Sequence, residues 1–238
     1  MKRTVLTLIA LLPFTLMAQT RKDTLTIQDP KNPDIEYWEV YYPNGEKLKE
    51  KGTYNKKQKT GIWRNWYDNG VPQTIEEYLN GQKNGLRYEF SRESFILSEE
   101  NYKAGKLDGV RTTFLSAGRT KTVETYKDGI LNGLKKIFYD DGKLQEEGNW
   151  KNGNRDGISK WYYQSGIVTI ENTYKDGVLE GLSKSFNTTG RITSEGIYSK
   201  DTEQGDWKEY NDEGEITKII KYQDGKVIKE TPVIPKKK

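Results

Sequence analysis

The chain has 238 residues, of which 33% are apolar and 31% charged, too polar a mixture for a thick globular interior. With 16 Tyr and 6 Trp it is also too aromatic for a disordered chain. The formal charge of +4 shrinks to 34 basic against 35 acidic residues once Lys2, Arg3, Lys236, Lys237 and Lys238 are set aside, and such a near-neutral body gives nucleic acid no electrostatic footing.

At the start of the chain, Lys2 and Arg3 precede the apolar run "TVLTLIALLPFTLMA", which closes at the small residue Ala18. That layout makes residues 1–18 a secretory signal peptide. The run is short for a bilayer span of roughly 20 residues, although an uncleaved anchor is the alternative reading. No other stretch is apolar enough to cross a membrane, so no stable transmembrane segment is expected after cleavage. The sequence holds no Cys. It therefore forms no disulfide, and no lipid-bearing cysteine follows the signal. The expected product is exported, periplasmic or extracellular, and not lipid-anchored. Residues 19–36, with Pro30 and Pro33, read as a linker into a worn first strand.

From about Tyr37 to Lys229 one period governs the sequence. Gly61, Gly85, Gly109, Gly133, Gly157, Gly181 and Gly205 each follow the last by 24 residues. A second series runs through Gly70, Gly118, Gly142, Gly166, Gly190 and Gly214, with Ser94 in the missing place. A third runs through Gly81, Gly105, Gly129, Gly153, Gly177 and Gly225, with Asp201 in its gap. Tyr54, Tyr78, Tyr102, Tyr126, Trp150, Tyr174, Tyr198 and Tyr222 keep the same beat. Shared spacing of this kind marks a repeat array.

Within a unit, "LKKIFYDDG" (134–142) alternates with period two, and so does "KLQEEGNWKNG" (143–153). Asn-Gly and Asp-Gly pairs between such runs suit tight hairpin turns. The phrase "YKDGILNG" at Tyr126–Gly133 returns as "YKDGVLEG" at Tyr174–Gly181 because every unit needs the same corner. The fold class is all-β: an elongated, twisted antiparallel meander of about eight stacked 24-residue hairpins. At about 4.8 Å per strand it should extend roughly 75 Å. The beat assigns all three glycine series to turns. At Ser94 and Asp201 the expectation is a longer or altered turn, or else a patch for a partner. The last residues, 230–238, read as a flexible tail.

The phrase Tyr-x-x-Gly-x-x-x-Gly, at Tyr78–Gly85, Tyr102–Gly109 and Tyr126–Gly133, resembles the MORN repeat. The longer hairpin unit and "YPNGEKLKEKGTY" at Tyr42–Tyr54 look more like the MORN-repeat-variant, or YwqK-like, family. The resemblance covers nearly the whole of residues 37–229. It implies a binding array or scaffold, and the YwqK-like label implies an antitoxin that neutralises a specific toxin. Neither role follows from the repeat itself.

Catalytic chemistry is mostly absent from the sequence. Without His or Cys there is no Ser-His-Asp triad, thiol nucleophile or histidine zinc site. Neither a Walker-type loop nor an acidic calcium loop is present. The adjacent pairs Glu76–Glu77, Glu99–Glu100 and Glu146–Glu147 point to opposite faces of a strand and read as solvated. Arg64, Lys136, Lys160, Lys184 and Lys208 are placed to pair with such acids across strands. The chain is expected to be no enzyme and to hold no cofactor or metal.

Parity separates two faces. Trp66, Phe90, Phe114, Phe138, Tyr162, Phe186 and Tyr210 share one with Leu86, Val110, Leu134, Ile158 and Leu182, and read as the core stripe. Trp63, Tyr67, Tyr139, Trp161, Tyr163 and Trp207 fall on the other parity. They are either a water-facing surface for a protein or cell-envelope glycan partner, or cross-strand pairs that stiffen the ribbon.

Overall fold

The computed structural model describes residues 23–43 and 45–234. The expected signal peptide at 1–18 lies outside them. The chain opens with β1 (Thr24–Gln28), β2 (Ile35–Tyr41), β3 (Leu48–Asn55), β4 (Gln58–Trp66), β5 (Pro72–Leu79) and β6 (Gln82–Phe90). It continues through β7 (Ile96–Lys103), β8 (Lys106–Leu107), β9 (Gly109–Phe114), β10 (Thr120–Lys127), β11 (Ile130–Phe138) and β12 (Leu144–Lys151). The last are β13 (Asn154–Tyr162), β14 (Val168–Lys175), β15 (Val178–Phe186), β16 (Ile192–Ser199), β17 (Thr202–Tyr210), β18 (Ile216–Gln223) and β19 (Lys226–Pro232). All nineteen join one antiparallel sheet. Each pairs with its sequence neighbour, and β7 pairs with both β8 and β9, which form one line broken at Asp108. The sheet is therefore an open meander whose length is roughly 80 Å at about 4.8 Å per strand.

Two boundaries differ from the sequence expectation. The supposed linker at 19–36 carries β1, because "TLTIQ" alternates and pairs with β2 from Thr24↔Val40 to Gln28↔Glu36. Pro30 and Pro33 sit in the connection between those strands rather than in a free linker. The supposed tail at 230–238 begins inside β19, where Glu230 and Pro232 pair with Ile220 and Lys218. Pro232 is tolerated there because β19 is an edge strand.

Two kinds of corner alternate along the ribbon. On one margin Asn80–Gly81, Asp128–Gly129, Asn152–Gly153 and Asp176–Gly177 have both residues at positive φ, from 50° to 90°. These are the two-residue hairpin turns that match the twist of paired strands. On the other margin a longer loop ends in a left-handed residue, as where Gly70 N–H donates to Tyr67 O (2.9 Å) and Tyr67 N–H to Val71 O (2.8 Å). The series from Gly61 to Gly205 does not form turns. Each member lies inside a strand or at its start, at φ from 64° to 129°, where the ladder register shifts. These glycines make bulges that only a residue without Cβ enters cheaply.

The odd members keep the corner rather than lengthen it. Ser94 holds φ 70° and donates to Ser91 O as the glycines do. Asp201 holds φ 64°, and its carboxylate also accepts from Leu179 N–H at 2.8 Å. A left-handed conformation costs an L-residue roughly 1–2 kcal/mol, and added chain entropy takes back part of that on mutation to glycine. Ser94→Gly should therefore raise stability by up to about 1 kcal/mol in urea unfolding. A loss of stability would show that the corner, already held by the Ser91 hydroxyl through Glu93 and Phe95 N–H, is not strained at Ser94.

The core lies on the face opposite to the one expected. Trp63 is fully buried, and Glu76, Glu100, Glu124, Ser159 and Ser183 are buried on the same face. On the supposed core face, by contrast, Val110, Ile158 and Leu182 stand 44%, 48% and 42% exposed. A single-layer sheet buries a side chain only where long neighbours lie flat across it. The face carrying Tyr54 to Tyr222, hereafter the tyrosine face, has such neighbours. On the other, the aliphatic face, Leu86, Val110, Leu134 and Ile158 stand opposite the short side chains of Asn101, Thr125, Asn149 and Thr173.

Candidate functional site

On the tyrosine face, the residue beside each tyrosine and the one across from it are matched within each hairpin. Trp63 fills the space above Gly52, where an added Cβ would meet its ring at 2.2 Å. Trp207 lies over Gly196 in the same way, at 2.0 Å from such a Cβ. Tyr54 and Tyr78 meet Trp63 edge-on at 4.9 and 6.3 Å, and Tyr198 and Tyr222 meet Trp207 at 5.1 and 6.1 Å.

Between these ends the same positions hold charges. Glu76, Arg87, Glu100, Arg111, Glu124 and Lys135 form one ladder across six strands. Its links are 2.9 Å (Glu76–Arg87), 3.0 Å (Arg87–Glu100), 3.0 Å (Glu100–Arg111), 3.1 Å (Arg111–Glu124) and 3.0 Å (Glu124–Lys135). The hydroxyls of Tyr78, Tyr102 and Tyr126 donate to Glu76, Glu100 and Glu124. Burial tends to raise each carboxyl pKa, but the cations and hydroxyls outweigh it and hold all three below the ordinary value. Burial and the bond to Glu100 push the Tyr102 hydroxyl up to about 12. Glu76 and Glu100 are thus buried ladder members, not solvated charges as their pairing with Glu77 and Glu99 implied.

The aromatic residues singled out by parity divide into two groups. Trp63 has no accessible surface, so it offers nothing to a partner. Trp161 donates to Glu146 at 3.0 Å and shares the Arg155 guanidinium with Trp150 and Tyr174. Trp207 is half-buried. Tyr67, Tyr139 and Tyr163 stand at loop corners, and their hydroxyls donate to the carbonyls of Phe90, Tyr162 and Phe186 at 2.9, 2.6 and 3.0 Å. Those tyrosines tie each loop to the next. The six residues do not make one open surface, and cross-strand stiffening describes them better.

The open surface is the aliphatic face. Its most exposed row is Ile62, Val110, Leu134, Ile158, Leu182 and Ile197, between 39% and 53% exposed. Beside that row, in the C-terminal half, runs a second charge ladder in register: Lys136, Glu147, Lys160, Glu171, Lys184, Glu195 and Lys208. Three of its pairs close, Lys136–Glu147 at 3.7 Å, Lys160–Glu171 at 3.1 Å and Lys208–Glu195 at 3.4 Å. The first ladder ends at Lys135 and the second starts at Lys136, so the charges change face within β11. A shallow groove of about 250 Å³ opens here, lined by Leu134, Glu147, Gly148, Asn149, Ile158 and Lys160. Another of about 380 Å³ lies near the N-terminal edge, between Ile27, Tyr37 and Ile62.

Sequence reasoning missed this surface because apolar periodicity reads as burial. Exposure in a one-layer sheet depends on the length of the cross-strand neighbour, which was legible in Asn101, Thr125, Asn149 and Thr173, each one residue before a member of the tyrosine series. No curated protein matches the chain. The family described as the MORN repeat variant matches residues 59–80, 131–152 and 155–176, three single hairpins of the array, and such repeats commonly serve as binding or scaffold modules.

Proposed function

We propose that the chain is an exported, non-enzymatic scaffold that engages a protein partner with its aliphatic face. The observation that supports this reading most is the row from Ile62 to Leu182, branched aliphatic side chains at 24-residue steps left open to water in every hairpin but that of the half-buried Leu86. Apolar area of this kind, laid out on a rigid sheet and edged by charge, suits a macromolecular interface rather than a small-molecule pocket. Export rests on the layout of residues 1–18.

A toxin-neutralising role, implied by the YwqK-like resemblance, is the second reading. It draws support from the unlike halves of the face, since the seven-strand Lys–Glu ladder lies in the C-terminal half and only the Glu39–Lys51 pair stands in that row at the other end, and a single toxin needs one localised patch. An envelope glycan would instead meet equivalent residues in many units.

The test is partner capture from envelope and secreted fractions with wild-type protein and with Leu182→Glu. A partner held by the wild type and lost by at least about tenfold in the variant is expected. Equal retention by both sinks the aliphatic face as the site. In the same preparation, a mature N-terminus at Gln19 is expected, and an intact Met1 would sink export by cleavage.

A further inference from the structure

The Lys–Glu ladder on the aliphatic face is self-complementary, and we infer that this face also binds a second copy of the chain, sheet against sheet. The inference rests on the aliphatic face being an interaction surface and names one partner for it. Along β11 to β17 the ladder alternates strictly, one charge per strand. A two-fold axis parallel to the strands and placed between two neighbouring strands sets each overlapping ladder charge opposite one of the other sign in the second copy, with Lys136 at the end left over when the axis lies between β14 and β15. An axis on a strand, or one along the ribbon, sets like on like. An axis along the ribbon also lays the aliphatic row over the row of Phe138, Tyr162 and Phe186.

With the axis between β14 and β15, Glu171 faces Lys184 of the second copy, and Lys160 faces its Glu195. Ile158, at 48% exposure, then meets Ile197, at 53%. Lys184 makes no ion pair among the described residues, although its register neighbours Glu171 and Glu195 are acidic. In the dimer it gains one. Packed sheets stand about 10 Å apart and cross at about 30°, so the pairs nearest the axis carry the match.

The area suffices. Seven strands at about 4.8 Å, each about 30 Å long, give a footprint of roughly 1,000 Å² per copy. Stable complexes need about 800 Å² per partner. The interface is isologous, so it closes at two copies and does not grow into a filament.

Sedimentation velocity on protein purified after expression of the full sequence tests this. A dimer is expected at micromolar concentration, weakened at least about tenfold by Leu182→Glu or by Ile158→Glu. The decisive arm uses two charge variants. Glu171→Lys alone places Lys on Lys across the axis, and Lys184→Glu alone places Glu on Glu, so each is expected to be monomeric. Mixed together they restore both pairs, and a heterodimer should form. That rescue also shows that both variants are folded, and in-plane pairing within one copy cannot produce it. A monomeric wild type, a dimer indifferent to Leu182→Glu, or a mixture no better associated than its parts would each overturn the inference. A wild-type monomer that still captures another protein through Leu182 would overturn the self-association alone and leave the binding-surface reading standing.

Discussion

Replacing Trp63 with alanine should lower stability by about 3–5 kcal/mol, the largest loss available to any single truncation in the array. Trp63 is the only large apolar side chain with no exposed surface among the described residues. It is covered by Tyr54 and Tyr78 and by the Lys59 ammonium 3.8 Å above its ring, and its indole N–H donates to Thr53 O at 3.2 Å. Each of those neighbours loses a packing partner when the ring is removed. Since the repeats couple chiefly to their neighbours, the loss should be felt most in β1 to β5. Amide hydrogen exchange should show those strands opening well before β11 to β15. A loss under about 1 kcal/mol would show that the neighbours collapse to fill the space.

The sharper form of this prediction concerns Gly52. Its φ is not in the left-handed region, so its backbone accepts alanine, but the new Cβ would meet the Trp63 ring at 2.2 Å. Gly52→Ala alone should therefore destabilise by about 1–3 kcal/mol through overpacking. In the Trp63→Ala background the obstacle is gone, and the same substitution should stabilise slightly by reducing the freedom of the unfolded chain. Such a change of sign is strong coupling between contacting residues. Urea midpoints of the two singles and the double measure it. Additive effects would mean that Gly52 is glycine for a reason other than the ring. Gly196 and Trp207 offer a second test, with smaller effects because Trp207 is only half-buried.

The 24-residue beat makes the hairpins, their register and their two alternating corners legible in the amino-acid sequence itself. "YKDGILNG" does run from the end of β10 through a turn into β11. What the beat does not show is that the series from Gly61 to Gly205 marks bulges, because a glycine at positive φ leaves the same mark in a turn as in a strand. Nor does it show which face is covered. Parity places Trp63 and Ile62 on opposite faces but does not say which one is roofed. That depends on whether the cross-strand neighbour is as short as Thr125 or as long as Arg87. The matched pairs Gly52–Trp63, Glu76–Arg87 and Gly196–Trp207 are present in the sequence, but each becomes visible only once the strand pairing fixes who stands beside whom. The aliphatic surface reads as core for the same reason.

Below about pH 5 the array should lose stability steeply, and the loss should centre on β5 to β11. Glu76, Glu100 and Glu124 are held below the ordinary carboxylate pKa by the cations and tyrosine hydroxyls around them, against the opposing effect of burial. A glutamate in the unfolded chain titrates near 4.3. The stabilisation from a depressed folded pKa is complete above that value and disappears as pH falls through the lower, folded one. Because the three carboxylates share Arg87 and Arg111, protonating one weakens the pairing of the guanidiniums that hold the others, so the loss is expected to be cooperative. Glu100 sits between both arginines at 3.0 Å and should be the most sensitive. Glu100→Ala should cost about 2–3 kcal/mol at neutral pH, since it takes one anion from each of two half-buried arginines that keep their other partners. Glu100→Gln should cost less and should flatten the pH profile between about 5 and 3, because the group that titrates is gone. Lys208 and Glu195, on the open aliphatic face, provide the control: their pair at 3.4 Å is solvated, and Lys208→Ala should change stability by about 1 kcal/mol or less. If instead the acid transition keeps its midpoint and steepness in Glu100→Gln, the acid sensitivity belongs to carboxylates outside the ladder, and the buried charges on the tyrosine face serve to fix strand register rather than to hold the array together.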